Sequence, residues 1–251
     1  MAWYKNTFSW SVVLSTIAII LSQSPPIKDW IKHDSLIIKY GDRVGINNAI
    51  GLTGYHVTIE LENNGNTTLP IESINLHVVD PSANTKIYSA ETLSTPSANG
   101  NVFNLPVASL VLEPGQRWSG SIFFNKNISP SEEEKFNSIR LIVSQNIQEK
   151  LQMQTWENYN PKANIPADED VYNRAVDFFN SKFDLEKGIY NAFVEVSIRN
   201  KHSVSESFEF TLYEYHFEMI KAQVADYRYG FGIYLPHLPN KQFSVKLQPN
   251  K

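Results

Sequence analysis

The residues from Phe8 to Ile27 carry no charged side chain. A helix needs about twenty mostly apolar residues to cross the hydrocarbon core of a bilayer. The apolar block from Trp10 to Leu21 reaches that length only if residues 22–24 and the following proline pair are included. We therefore predict a membrane span over about residues 8–27, within an anchor of residues 1–30. The remaining residues have the composition of a water-soluble body.

Three interpretations of this segment compete. A cleaved signal peptide is disfavoured, because Pro25 and Pro26 follow the small residues and no A-x-A-like cleavage site is present. A buried core helix is disfavoured too, because the polar residues are scattered around the helix. An uncleaved signal anchor also explains the tryptophans at the two ends, since indole rings favour the headgroup zone. The predicted membrane residues are Trp10, Val12, Val13, Leu14, Ile17, Ile19, Ile20, Leu21 and Trp30.

The lysines beside the span give conflicting signals about its orientation. Lys5 precedes the span, whereas Lys28, Lys32 and Lys39 follow it, and this excess favours a cytoplasmic body. A short amino-terminal tail is nevertheless a common cytoplasmic start for an anchor, and long domains translocate regardless of charge. We expect a single-pass protein of the bacterial inner membrane, with a slight preference for a periplasmic body.

Composition and motifs exclude several classes of function for this 251-residue chain. The formal net charge is −4 and the pI is near 5.9, which disfavours a nucleic-acid partner. The chain has no cysteine, so disulfides, thiolate metal sites and a cysteine nucleophile are excluded. The motifs G-x-S-x-G, H-E-x-x-H and G-x-G-x-x-G and the Walker loop do not occur. We expect no cofactor and no enzymatic activity.

Short runs of alternating apolar and polar residues follow one another from residue 34 to residue 144, within a predicted β-sandwich domain of residues 34–148. Residues 55–62 and 71–79 alternate most clearly, and the turn at residues 63–66 tolerates positive φ. We therefore expect these two strands to pair antiparallel. Their inward residues, predicted to share one core, are Val57, Ile59, Leu61, Ile74, Leu76 and Val78. Further strands are predicted at residues 36–40, 86–88, 109–112, 118–124 and 138–143.

Two short turns in this region carry a resemblance to a known class of domain. The run L-E-P-G-Q at residues 112–116 precedes an alternating strand, and E-N-N-G at residues 62–65 follows another. Both resemble turns common in bacterial immunoglobulin-like domains. The resemblance covers roughly residues 34–148 and implies an antiparallel β-sandwich that serves as an adhesive or scaffolding module, with no catalytic residues. The Cys, Trp and Cys pattern of antibody domains is absent.

A second β-rich region follows a stretch rich in Gln, Asn and Pro, which predicts a linker over residues 149–167. We expect a smaller β-rich domain with helices over residues 168–251. Asp168 is predicted to cap a helix that ends at Lys182, with two further acidic residues in its first turn. Strands at residues 190–200 and 206–212, an amphipathic helix at residues 213–227 and a last strand at residues 243–247 complete this region.

Three residues form the weak candidates for a metal site. His56 and Glu60 lie on the outward face of one predicted strand, and His77 lies on the outward face of the next. Imidazole and carboxylate groups are good zinc ligands, but they must converge on one point. Exposed strand histidines are more often solvated surface, so we expect no metal.

These patterns predict a non-enzymatic, membrane-anchored interaction or scaffold protein that holds a protein partner at the bilayer surface. Tethering to a membrane raises the effective concentration of a partner, which gives an anchor a purpose on a module without chemistry. The alternative is a ligand-binding protein or an enzyme. Its site would lie in a crevice between the two β regions, lined by Trp156, Tyr159, Tyr227 and Tyr229.

Overall fold

A computed structural model of the chain describes residues 10, 12–19, 33–96, 102–126, 128–153, 164–235 and 243–249. The fold is mainly β and antiparallel, as predicted, and its described strands form one sheet of eleven strands. The strands are β1 (Leu36–Ala49), β2 (Leu52–Asn63), β3 (Leu69–Val79), β4 (Thr85–Pro96), β5 (Val102–Pro106), β6 (Val111–Leu112), β7 (Arg117–Asn125), β8 (Gly188–Ile198), β9 (Ser203–Leu212), β10 (Phe243–Lys246) and β11 (Gln248–Pro249).

The described residues form four α-helices. These are α1 (12–19), α2 (Pro130–Gln152), α3 (Glu169–Lys182) and α4 (Glu214–Val224), with short 3-10 helices at Val107–Ser109 and Ala225–Tyr229. Among them, none combines the length and the apolar character that crossing a membrane requires. The rest of the predicted span, with Ile20 and Leu21, lies outside the described residues, as does Trp30 beyond its end, so the anchor stays a prediction.

The sheet curls until its two ends meet. Its strand order is β10-β1-β2-β7-β4-β3-β8-β9-β11, and β5 and β6 pair with β4 and β3. The carboxy-terminal strands connect the ends, because β10 pairs with β1 and β11 pairs with β9. Tyr40 of β1 also reaches across, and its hydroxyl donates a hydrogen bond of 3.0 Å to the carbonyl of Ser207 on β9. The result is nearly barrel-shaped.

The predicted core residues of β2 and β3 are all buried in one apolar cluster, which confirms the prediction of their shared core. The predicted pairing of these two strands is wrong. β2 pairs with β1 and β7, β3 pairs with β4, β6 and β8, and β7 and β4 lie between them. Alternation determines which side chains face inward, but it does not determine which strand lies alongside.

The strands of both predicted β regions belong to this one sheet. β3 and β8 pair in register, for example at Leu76 and Val194, and β8 continues into a hairpin with β9. The apolar core extends across both regions without a break. The predicted boundary at residues 149–167 therefore does not divide the sheet.

Two predictions are wrong where helix α2 lies. The predicted strand at residues 138–143 lies inside this helix, and residues 149–152 of the predicted linker form its last turn. Within the supposed strand, Ile139, Ile142 and Val143 are spaced as they are along one face of a helix. In a window of six residues this spacing is also compatible with the alternation of a strand.

The secondary structure after residue 168 follows the prediction closely. Helix α3, strands β8 and β9, helix α4 and strand β10 all lie where their patterns predicted them. The predicted second helix is α-helical to Val224 and then tightens to a 3-10 helix. Gly230 ends it in the left-handed conformation, with φ of 80°, which a residue without a Cβ adopts at little cost.

Candidate protein-binding groove

The weak metal candidates on β2 have other partners. The ring of His56 stacks on that of Phe123 with centroids 4.3 Å apart, and burial lowers the pKa of the imidazole. The carboxylate of Glu60 lies 2.9 Å from the ammonium of Lys39 on β1. Residue 60 is therefore part of an exposed ion pair.

The third candidate, His77, lies on β3 and is separated from β2 by two strands. Its ring stacks on Phe193 with centroids 4.3 Å apart, and its Nε2 lies 3.1 Å from the carboxylate of Glu195. The structure thus does not bring His56, Glu60 and His77 together. Within the described parts of the chain, no three histidine or acidic side chains are grouped to hold a metal ion.

The structure describes two of the four aromatic residues that were predicted to line a crevice. Tyr227 is only 1% exposed, and its hydroxyl bonds to the backbone of Ile50, so it packs in the core. Burial raises the pKa of this phenol. Tyr229 is partly buried, and Trp156 and Tyr159 lie outside the described residues. Tyr227 therefore does not line an open crevice, and the rest of the predicted lining stays a prediction.

Helix α2 begins with a strong local signal. The hydroxyl of Ser129 accepts a hydrogen bond from the backbone N–H of Glu132, and the carboxylate of Glu132 accepts one from the backbone N–H of Ser129. Pro130 occupies the first turn, where the missing N–H costs nothing. This capping box fixes where the helix begins. Buried Val143 and Ile147 then direct one face of the helix toward the body.

Two polar contacts hold α2 and α3 together as an antiparallel pair. At one end, Lys182 near the end of α3 forms an ion pair with Glu132 in the first turn of α2. This ion pair and the bonds from Ser129 lower the pKa of Glu132 to about 2. A carboxylate that stays ionised so far below its ordinary range keeps the contact intact at neutral pH.

The contact at the other end involves Asp168. Its carboxylate lies 2.6 Å from the ammonium of Lys150 and accepts a hydrogen bond of 2.7 Å from the amide of Asn146, both on α2. These two partners lower the pKa of Asp168. Asp168 occupies the N-cap position of α3, but its side chain makes no capping bond. The predicted cap is therefore wrong in its chemistry, because the carboxylate binds the neighbouring helix instead.

An open groove of about 460 Å³ lies between α2 and α3. Each helix contributes residues at positions i, i+3, i+4 and i+7, which share one face of a helix. The lining residues are Lys135, Ser138, Ile139 and Ile142 from α2, and Arg174, Asp177, Phe178 and Ser181 from α3. The apolar residues among them pack against the main core. The groove thus has an apolar floor and a charged rim.

The charges that line the groove differ from the four charges that join the two helices. Glu132, Lys150, Asp168 and Lys182 are all engaged in ion pairs between the two helices. In contrast, the charged groups of Lys135, Arg174 and Asp177 have no ion-pair or hydrogen-bond partner among the described residues. The groove therefore presents two free cations and one free carboxylate beside apolar surface.

Sequence reasoning missed this groove because it missed α2. The signal that could have revealed the helix was the sequence Ser129-Pro130-Ser131-Glu132, a capping box with proline in its first turn, followed by further acidic residues. The pairing of α2 with α3 has no comparable local signal. The chain matches no protein-family model, and no curated protein matches its sequence.

Proposed function

We propose that this chain is a non-enzymatic, membrane-anchored interaction protein that holds a partner protein at a bilayer surface, and that the partner docks in the groove between α2 and α3. The observation that carries the proposal is the combination of an apolar floor with rim charges that lack partners within the described chain. Interaction sites commonly combine an apolar centre with a polar rim. The non-enzymatic part rests on the absence of a catalytic motif from the sequence.

The groove is suited to receive side chains of another molecule. Ile139 and Ile142 are partly exposed at its floor, so a partner can remove further apolar surface from water there. Its volume of about 460 Å³ accommodates several side chains. Docking would also supply counter-charges to Lys135 and Arg174.

The membrane part of the proposal rests on the amino-terminal segment. All eight described residues of α1 are exposed, and they include Val12, Leu14 and Ile17. A contiguous exposed apolar surface commonly marks a contact with a membrane or a protein. An anchor at this position would confine the groove to the bilayer surface and raise the local concentration of a membrane partner.

Site-specific photo-cross-linking in intact membranes tests the proposal. A photoreactive amino acid in place of Ser138 or Ser181 should capture one discrete protein in cells that produce the full chain. The matched control places the same amino acid at Arg140, which is exposed on α2 but does not line the groove. Capture should be lost when Lys135→Glu and Arg174→Glu are combined with the Ser138 probe. Equal capture from position 140, or none from the groove positions, would contradict the proposal.

A further inference from the structure

The shape and charges of the groove identify the chemistry of its occupant, an inference that rests on the proposed function. We infer that the groove binds an amphipathic α-helix of a partner protein, with carboxylates on both flanks of its apolar stripe. Both walls of the groove are helical, and a free cation lies on each wall.

Both walls of the groove are helices, and this favours a helical occupant. From residue 135 to 142 and from 174 to 181 each wall runs for about 10 Å, at a rise of 1.5 Å per residue. A third helix in such a groove inserts side chains spaced i, i+3 or i+4, and i+7 between the ridges of the two walls. An extended peptide gains most of its affinity from pairing with a free sheet edge, which two helices do not provide.

Two serines make room for the backbone of the incoming helix. Ser138 on α2 and Ser181 on α3 are the small side chains of the lining, and the larger apolar ones are Ile139, Ile142 and Phe178. Small residues allow two helices to approach until their axes are roughly 8–10 Å apart, as in packed helices. The larger apolar residues then contact the stripe of the occupant.

The two cations stand on opposite walls at different levels. Glu132 pairs with Lys182 and Asn146 bonds Asp168, so the helices run antiparallel and Arg174 is level with about residue 140 of α2. Lys135 is therefore about five residues, or roughly 7 Å, from Arg174 along the axes. Carboxylates on the two flanks of one occupant helix, at the positions that border an apolar stripe in a heptad pattern, can reach both.

Asp177 adds a negative charge to the lining of the groove. It is the third free charge of the groove, and it lies one turn after Arg174 on α3. The free charges sum to +1, which favours an acidic occupant over a basic one. A single donor on the occupant opposite Asp177 would add a third polar contact.

A designed peptide tests the inference directly. The probe has about three heptads, with Leu at the a and d positions and Glu at e and g, so that like charges oppose its self-association. Binding to the full chain in detergent micelles is measured by fluorescence anisotropy. We expect saturable binding that weakens at high salt, because exposed ion pairs are screened.

Charge reversal supplies the decisive control. The double variant Lys135→Glu/Arg174→Glu should bind the Glu peptide about tenfold more weakly, since two exposed attractions become repulsions. The same variant should prefer a peptide with Lys at e and g. The matched variant Arg140→Glu/Arg199→Glu makes the same change in net charge outside the groove and should bind the Glu peptide as the unmodified chain does. Asp177→Asn should tighten binding of the Glu peptide by about threefold.

Several results would overturn the inference. These are equal binding of the Glu and Lys peptides, no loss of binding in the groove variant, or equal binding of a Glu peptide in which prolines prevent the helix. Self-association of the chain that the groove variant abolishes, without peptide binding, would assign the groove to a second copy. If the peptide fails while the Ser138 probe still captures a membrane protein, the acidic helix is wrong and the proposed function stands.

Discussion

The region of the sheet and the groove between α2 and α3 both contain apolar side chains beside charged ones. The two regions differ in how far the apolar side chains are buried and in whether the charges are paired. In the sheet, Ile59 is fully buried, and just after β3 the buried carboxylate of Asp80 is bonded by Asn84 and lies 3.4 Å from the ammonium of Lys86 on β4. In the groove, Ile142 remains partly exposed, and the cation of Arg174 has no partner among the described residues.

This contrast separates stability from binding. A fully buried apolar side chain already contributes its free energy to the folded chain, and removing one partner of a buried ion pair destabilises the fold because the other charge is left uncompensated. A partly exposed side chain and a free charge contribute little to folding, and their free energy is available for association. Substitutions in the sheet should therefore change stability, whereas substitutions at the groove rim should change binding.

The largest effect is expected in the sheet interior. Ile59→Ala should lower the free energy of unfolding by about 2 to 5 kcal/mol, because it removes buried apolar surface and leaves a cavity. Thr58→Ala is the neighbouring control, since Thr58 is exposed and should be nearly neutral. Urea unfolding of the two variants measures the difference. Equal losses at residues 58 and 59 would refute the assignment of the faces.

A smaller loss is expected at the buried ion pair. Lys86→Met keeps most of the apolar stem and removes the ammonium, which leaves the buried Asp80 with Asn84 but without its counter-charge. We expect a loss of about 1 to 3 kcal/mol in urea unfolding. Lys39→Met removes an exposed partner of Glu60 and should have little effect. If both variants lose the same stability, burial does not distinguish these two ion pairs.

The contact between Glu132 and Lys182 should make stability depend on pH. The pKa of Glu132 is about 2 in the folded chain, below the ordinary value of 4.5. The contribution of Glu132 to the free energy of unfolding is therefore complete above pH 4.5 and disappears as the pH falls toward 2. Glu132→Gln should therefore lower the melting temperature at neutral pH and lose this difference in acid. Melting of both chains across this range measures the effect, and a difference that persists in acid would contradict the assignment.

The smallest effect on stability is expected at the groove rim. Lys135→Glu/Arg174→Glu should leave the melting temperature nearly unchanged, because neither cation has a partner among the described residues. The same variant should lose capture of the partner in the cross-linking experiment. A marked loss of stability would show that these cations serve the fold, and the contrast between the two regions would fail.

The periodicity of the sequence predicted much of the fold. Val57, Ile59 and Leu61 were correctly assigned to the core, because side chains alternate between the faces of any strand. The helix ending at Lys182 followed from apolar spacing in the same way. The prediction missed helix α2, although the sequence contains its capping box. The six residues 138–143 are compatible with both periods, whereas the capping box at Ser129 favours a helix.

The sequence by itself determined the mainly antiparallel β fold, which residues face inward, and the positions of α3 and α4. These properties depend on local geometry, because the periods of 2 and 3.6 residues act within each element. Only the tertiary structure decided that β7 and β4 separate β2 from β3, that one sheet spans both β regions, and that α2 and α3 form a groove. Those features depend on contacts between residues distant along the chain, such as Glu132 with Lys182. No local pattern specifies such pairs, since many partners would satisfy the same carboxylate or the same strand edge equally well.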